Sequence, residues 1–121
     1  MEVIRKEILP GIFVLELKGA LLIGVACTRL QLAVEDLLAE KQTRVVLDLT
    51  AVPRVDSGGL GKIVNCLSRV RIAGGTMHLA GVNETVVGLF KMTKVDRIVK
   101  MYPTAREAAQ GIAGSQSSAP A

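Results

Sequence analysis

The sequence predicts an α/β domain with two layers: a mixed, mostly parallel sheet of four to five strands, and about four helices packed mainly on one face. Three observations predict it. Apolar spacing switches repeatedly between period two and helical period, strand-like and helix-like segments alternate after residue 25, and 121 residues with half of them apolar suit a single core.

The elements follow in order. Val3 to Ile8 is a weak strand, and Pro10-Gly11 turns it back toward a clearer one, in which Phe13, Leu15 and Leu17 alternate with Val14, Glu16 and Lys18. From Val25 to Lys41, Leu30, Val34, Leu37 and Leu38 share one helical face, with Arg29, Glu35, Asp36 and Glu40 opposite. Arg44 to Thr50 is short, apolar and β-branched, as a central strand should be. A second helix spans about Gly58 to Ile72, with Gly74-Gly75 as its stop, and Thr76 to Ala80 is the next strand. Asn83 caps a short helix from Glu84 to Met92, Ile98 to Met101 is a brief last strand, and a final helix runs from Ala105 to Gly111. Strand-helix-strand steps require parallel pairing through right-handed crossovers, while the opening hairpin makes the sheet mixed. Glu16, Lys18, Asp48, Thr76 and His78 fall on the alternate face, which is therefore expected to be only partly covered, with His78 an ordinary residue on its open side. The domain is placed at residues 1–111, and 112–121, small and polar, is expected to be a disordered tail.

Composition excludes several classes of function. There is no apolar run long enough to span a bilayer and no signal-peptide pattern at the N-terminus, so no membrane insertion is expected. Cys27 and Cys66 form no CxxC or Cys/His cluster and suit buried thiols of a reduced, cytoplasmic protein; no metal and no cofactor are expected. Net charge is +4, but Lys and Arg are scattered along the chain and only one Tyr and two Phe are available for base stacking. Nucleic acid is therefore not an expected partner.

The densest local signal is Val52-Pro53-Arg54-Val55-Asp56-Ser57-Gly58-Gly59-Leu60-Gly61, where a strand ends and a helix begins. Ser57 is placed as the N-cap, with Asp56 as the competing cap. Gly58 and Gly59 weaken a helix, yet in its first turn they leave the backbone uncovered. A phosphate group would be favoured there by free N–H groups and the helix dipole, which makes Ser57 chemically suited to phosphorylation.

With those residues in view, VVLDLTAVPRVDSGGLGKIV resembles the signature of STAS domains, and of anti-sigma factor antagonists in particular, in which an acidic residue and Ser precede a small residue and Gly-Leu. The resemblance extends from about Ile12 to Ala109, including Gly19, Gly74-Gly75 and Gly81-Val82-Asn83. It implies a STAS-like fold, no enzymatic activity, and binding to an anti-sigma factor with serine kinase activity. Ser57 matches the family's phosphorylated Ser, a phosphatase is implied as the resetting enzyme, and a homodimer is left open. Asp56, Ser57, Gly58, Gly59, Leu60 and Lys62 are then the partner-binding residues, with Asn65, Ser68 and Arg69 as further polar positions along the same helix. Two positions depart from the family pattern: Leu22 stands where Asp is common, and Lys94 where Gly is common, so Lys94 has to accept a left-handed conformation.

Other readings of the same turn fail. Ile63 follows Lys62 where a P-loop needs Ser or Thr, and no Gly-x-Gly-x-x-Gly can be laid across it. A hydrolase triad of Ser57, His78 and Asp48 lacks the Gly two residues before the nucleophile, where Val55 stands, and His78 sits inside its strand rather than at the end. A non-phosphorylated STAS scaffold, or an accessory subunit of a transporter or stress-signalling complex, is the alternative that keeps the fold but makes Ser57 a cap only.

Overall fold

The structure is a computed structural model that describes residues 1–117. Five strands lie side by side in chain order: β1 (Glu2–Leu9), β2 (Ile12–Lys18), β3 (Arg44–Ala51), β4 (Thr76–Ala80) and β5 (Met101–Tyr102). Only β1–β2 is antiparallel; β2 through β5 pair in parallel. The helices are α1 (Val25–Ala39), α2 (Ser57–Ile72), α3 (Glu84–Met92) and α4 (Ala105–Ser117).

This order dictates where the helices go. Each right-handed crossover from β2 to β5 steps to the next strand in the same direction, so α1, α2 and the α3 connection all land on one face. That face carries the main core: Leu15, Leu17, Leu47, Leu49 and Leu79 from the strands meet Leu30, Val34, Ile63, Val70 and Phe90 from the helices. Each fully buried aliphatic side chain contributes about 1.5–3 kcal/mol of transfer free energy.

The fourth helix follows the last strand and crosses nothing, so it is free to turn back over the other face. There Ala108, Ala109 and Ile112 pack on Ile12, Val14, Val46 and Ala80. Two expectations change as a result. His78 is not on an open face: it is 4% exposed beneath α4, its Nδ1 3.3 Å from the Ala108 carbonyl oxygen and its ring 5.1 Å from that of Tyr102. Nor does the fold stop at residue 111, because α4 continues to Ser117 and Ile112 is buried. A Cβ at Gly111 would lie 2.3 Å from the Tyr102 hydroxyl, so the small residue makes room for that ring. The remainder of the expected tail, 118–121, lies outside the described residues.

The last strand also moves. Lys94 does take the left-handed conformation, at φ 64°, and ends α3; a single 3-10 turn, Val95–Arg97, absorbs Ile98 through an N–H bond to the Val95 carbonyl. Pairing with β4 therefore begins only at Met101, not at Ile98. Cys27 and Cys66 are both free and buried, and burial pushes the Cys66 thiol up to about 11. Among the described residues no helix is long and apolar enough to cross a membrane.

Candidate functional site

Parallel strands end together, and the loops leaving β3 and β4 meet the segment leaving β2 at that end of the sheet. After β2, Leu21 pairs with Val55 through one parallel bridge, with its N–H donating to the Arg54 carbonyl at 2.9 Å. This lays residues 21–23 directly against the start of α2.

The cap of α2 is Asp56 and not Ser57. Its backbone is extended, and one carboxylate oxygen accepts from the Gly59 N–H at 2.7 Å. Asp is as good an N-cap as Ser, and the free amide it satisfies is the third of the helix. The same carboxylate accepts a second donor from far along the chain, the Ile23 N–H, at 3.0 and 3.2 Å to its two oxygens. Asp56 thus clamps the post-β2 loop to the α2 start. These N–H groups, Ile23 first and Gly59 next, hold its carboxyl below the ordinary carboxylate range.

The close approach explains the glycines. A Cβ on Gly59 would lie 2.2 Å from the Leu21 carbonyl oxygen, and one on Gly58 would lie 2.7 Å from the Ile23 Cβ. Gly59 is buried and its amide is already taken. The pair is therefore a packing requirement, not the uncovered phosphate cradle that spacing alone predicts.

Ser57, relieved of capping, occupies the first helical position with an exposed side chain, and its hydroxyl makes no hydrogen bond among the described residues. Leu60 is half-buried against the main core. Lys62 is also half-buried, and its ammonium donates to the Gln31 side chain of α1, which in turn donates to Glu35 at 3.0 Å. Of the six residues expected to meet a partner, Ser57 is the exposed one, while Asp56 and Gly59 are engaged in joining the post-β2 loop to α2 and Lys62 in joining α2 to α1.

Sequence reasoning missed what stands next to Ser57. Ile23, on the loop that Asp56 holds, is 77% exposed, and Val25, the first residue of α1, is 69% exposed. Beside them, Leu22, Arg54, Val55, Val86 and Leu89 line a shallow hollow that also touches Asp56. Leu22, at the position where Asp is common, makes this hollow beside Asp56 apolar. Asn83 has a second job beyond capping α3: while its Oδ1 accepts from Val86 N–H at 2.9 Å, its amide donates to the carbonyls of Val52 and Pro53, both at 3.2 Å. The apolar run Leu21-Leu22-Ile23 before a glycine was the available signal for the loop; nothing local pointed to the Asn83 bridge.

His78 stays apart from this site. It lies on the α4 side of the sheet, whereas α2 rises from the other, so no Ser57–His78 pair forms.

Comparison with known proteins agrees with this architecture. The STAS domain model matches residues 3–108. A Thermotoga neapolitana protein named as an anti-sigma factor antagonist is 38% identical over 80 residues, covering 66% of this chain and 71% of that protein. Among solved structures, a Thermotoga maritima protein described as an anti-sigma factor antagonist superposes with a TM-score of 0.84 at 31% identity, over 92% of this chain and 94% of that one. The phosphorylated form of the Bacillus cell fate determinant SpoIIAA shares the fold, with a TM-score of 0.72 at 16% identity over 92% of this chain and 99% of that one. With its sheet order, its α2 start and the match over most of its length, the chain belongs to the STAS domain family, among relatives named as anti-sigma factor antagonists.

Proposed function

We propose that this domain is an anti-sigma factor antagonist that docks through the end of the sheet around Ser57 onto an anti-sigma factor with serine kinase activity, and that phosphorylation of Ser57 ends the contact. The observation that carries the reading is the free hydroxyl of Ser57. A serine that caps a helix needs no further purpose; here Asp56 does the capping, and Ser57 is left exposed, unbonded and reachable by a kinase.

The surroundings support both halves of the switch. Unmodified, Ser57 stands between Asp56 and Gly58, the two residues that meet Ile23, and Ile23 and Val25, close to it in sequence, are exposed apolar side chains of the kind that gain from being covered by a partner. A phosphoserine adds about −1.5 to −2 charge. Next to the ionised Asp56, and with the Gly59 amide already occupied, that charge has no cradle within the domain and faces outward, where it opposes docking by desolvation and bulk. A phosphatase would restore the binding form.

Incubation with the anti-sigma factor kinase and ATP is expected to add one phosphate, read by mass spectrometry. Ser57→Ala should accept none, and labelling of that variant at the wild-type level overturns the reading.

A further inference from the structure

Chain topology puts the other ends of β3 and β4 on the opposite side of the molecule from Ser57, and cations scattered along the sequence collect there. Arg71 from the last turn of α2, Arg97 from the 3-10 turn and Lys100 from the approach to β5 line one cavity, together with Gly75, Thr76 and His78 at the start of β4. Asp96 is the single carboxylate on its wall. The three ion pairs among the described residues, Arg5–Glu40, Lys6–Glu16 and Arg69–Glu35, draw on none of these groups. Arg71 and Ile98 also border a second hollow, whose other walls are Val64, Leu67, Ser68 and Ile72. Ile72 is 84% exposed and Ile98 40%. Arg71 joins the two spaces: one guanidinium nitrogen donates to the Ile98 carbonyl, and the group has further N–H donors to offer the cavity.

We infer that this end of the domain is a second docking surface, independent of Ser57, for an acidic protein segment that carries an aliphatic anchor. Charge complementarity identifies the occupant. Three cations with one opposing carboxylate attract an anionic chain, and a neighbouring apolar groove takes a Leu-sized side chain from the same segment. A nucleic-acid backbone would satisfy the cations and leave the groove empty, and the walls offer no Phe, Tyr or Trp for bases to stack on, while the His78 ring is buried. A flat bilayer would not enter two adjoining concavities.

The test is an NMR titration of the isotope-labelled domain with a blocked peptide of Glu-Glu-Leu repeats, run beside a Glu-Glu-Ser peptide, an oligo-dT strand, and vesicles of phosphatidylserine and phosphatidylcholine. Saturable shifts at Arg71, Ile72, Arg97, Ile98 and Lys100 are expected with the Leu peptide, and about ten-fold weaker binding with the Ser peptide. Exposed Arg97 and Lys100 can be reversed without breaking an ion pair, so the double variant Arg97→Glu, Lys100→Glu should keep the wild-type spectrum elsewhere and lose roughly ten-fold or more in affinity. Equal affinity for the two peptides, shifts centred on Ser57, or tighter binding of the oligonucleotide or the vesicles overturns the inference. The wild-type arm alone decides if the double variant misfolds.

Discussion

The two ends of the central strands β3 and β4 are built on different principles. At the C-terminal end one carboxylate, Asp56, gathers backbone amides from two distant segments, and a glycine presses against a carbonyl, so that a single hydroxyl stands free at a fixed place. At the N-terminal end a glycine also abuts a carbonyl, Gly75 against Thr43, but Arg71, Arg97 and Lys100 around it are exposed and hold no ion partner among the described residues. A covalent mark on one atom requires a defined geometry; recognition of a charged segment tolerates a looser one. Backbone packing is equally tight at both ends, and the difference lies in where the side-chain charges go.

Crowding the backbone should have the largest effect. Gly59→Val is expected to destabilise the domain by about 2–3 kcal/mol, measured by denaturant unfolding, because its Cβ would start 2.2 Å from the Leu21 oxygen. Gly75→Ala meets the Thr43 oxygen at 1.9 Å and should destabilise by a comparable amount. Only the Gly59 variant should also impair phosphorylation of Ser57. Equal impairment by both would remove the distinction between the ends.

Asp56→Ala comes next. It should lower Tm by several degrees and speed hydrogen exchange at the Ile23 and Gly59 amides, whereas exchange at Thr76, beside Gly75, should hold. The folded carboxyl titrates below its unfolded value, so its contribution is present above the ordinary carboxylate range and is lost as pH falls through the folded value. Asp56→Asn should flatten this acid limb of the stability profile.

His78 gives a smaller dependence at higher pH. Burial holds its imidazole below the ordinary histidine range, opposed by the bond to Ala108. The unfolded state therefore takes up the proton first, and stability present above that value falls as pH drops toward the folded one. The denaturant midpoint should decline between about pH 7 and pH 5 in the wild type and decline less in His78→Phe.

Much of this molecule was legible in its sequence, for identifiable reasons. Periodicity placed β2, β3, α2, β4 and α3 within a residue or two, because each has one buried face and a recognisable start or stop. The location of the site was equally plain from Asp56-Ser57-Gly58-Gly59. Its construction was not. Whether Asp56 or Ser57 capped α2 depended on a donor at Ile23, and the reason for both glycines was a loop that arrives from residues 21–23. The last helix was placed only as far as Gly111, whose neighbour in space, Tyr102, is invisible to local pattern. The basic end likewise emerged only when topology brought Arg71 alongside Arg97 and Lys100.

The smallest expected effect bears most on the switch. Ser57→Ala should change folding stability by no more than about 0.5 kcal/mol, since the hydroxyl caps nothing. With fold and stability held constant, the decisive quantity is the affinity of the anti-sigma factor kinase for the domain before and after phosphorylation, measured by calorimetry. The unmodified protein and Ser57→Ala should bind alike, and the form phosphorylated at Ser57 should bind at least ten-fold more weakly. Undiminished binding by the phosphorylated form would mean that Ser57 does not control docking.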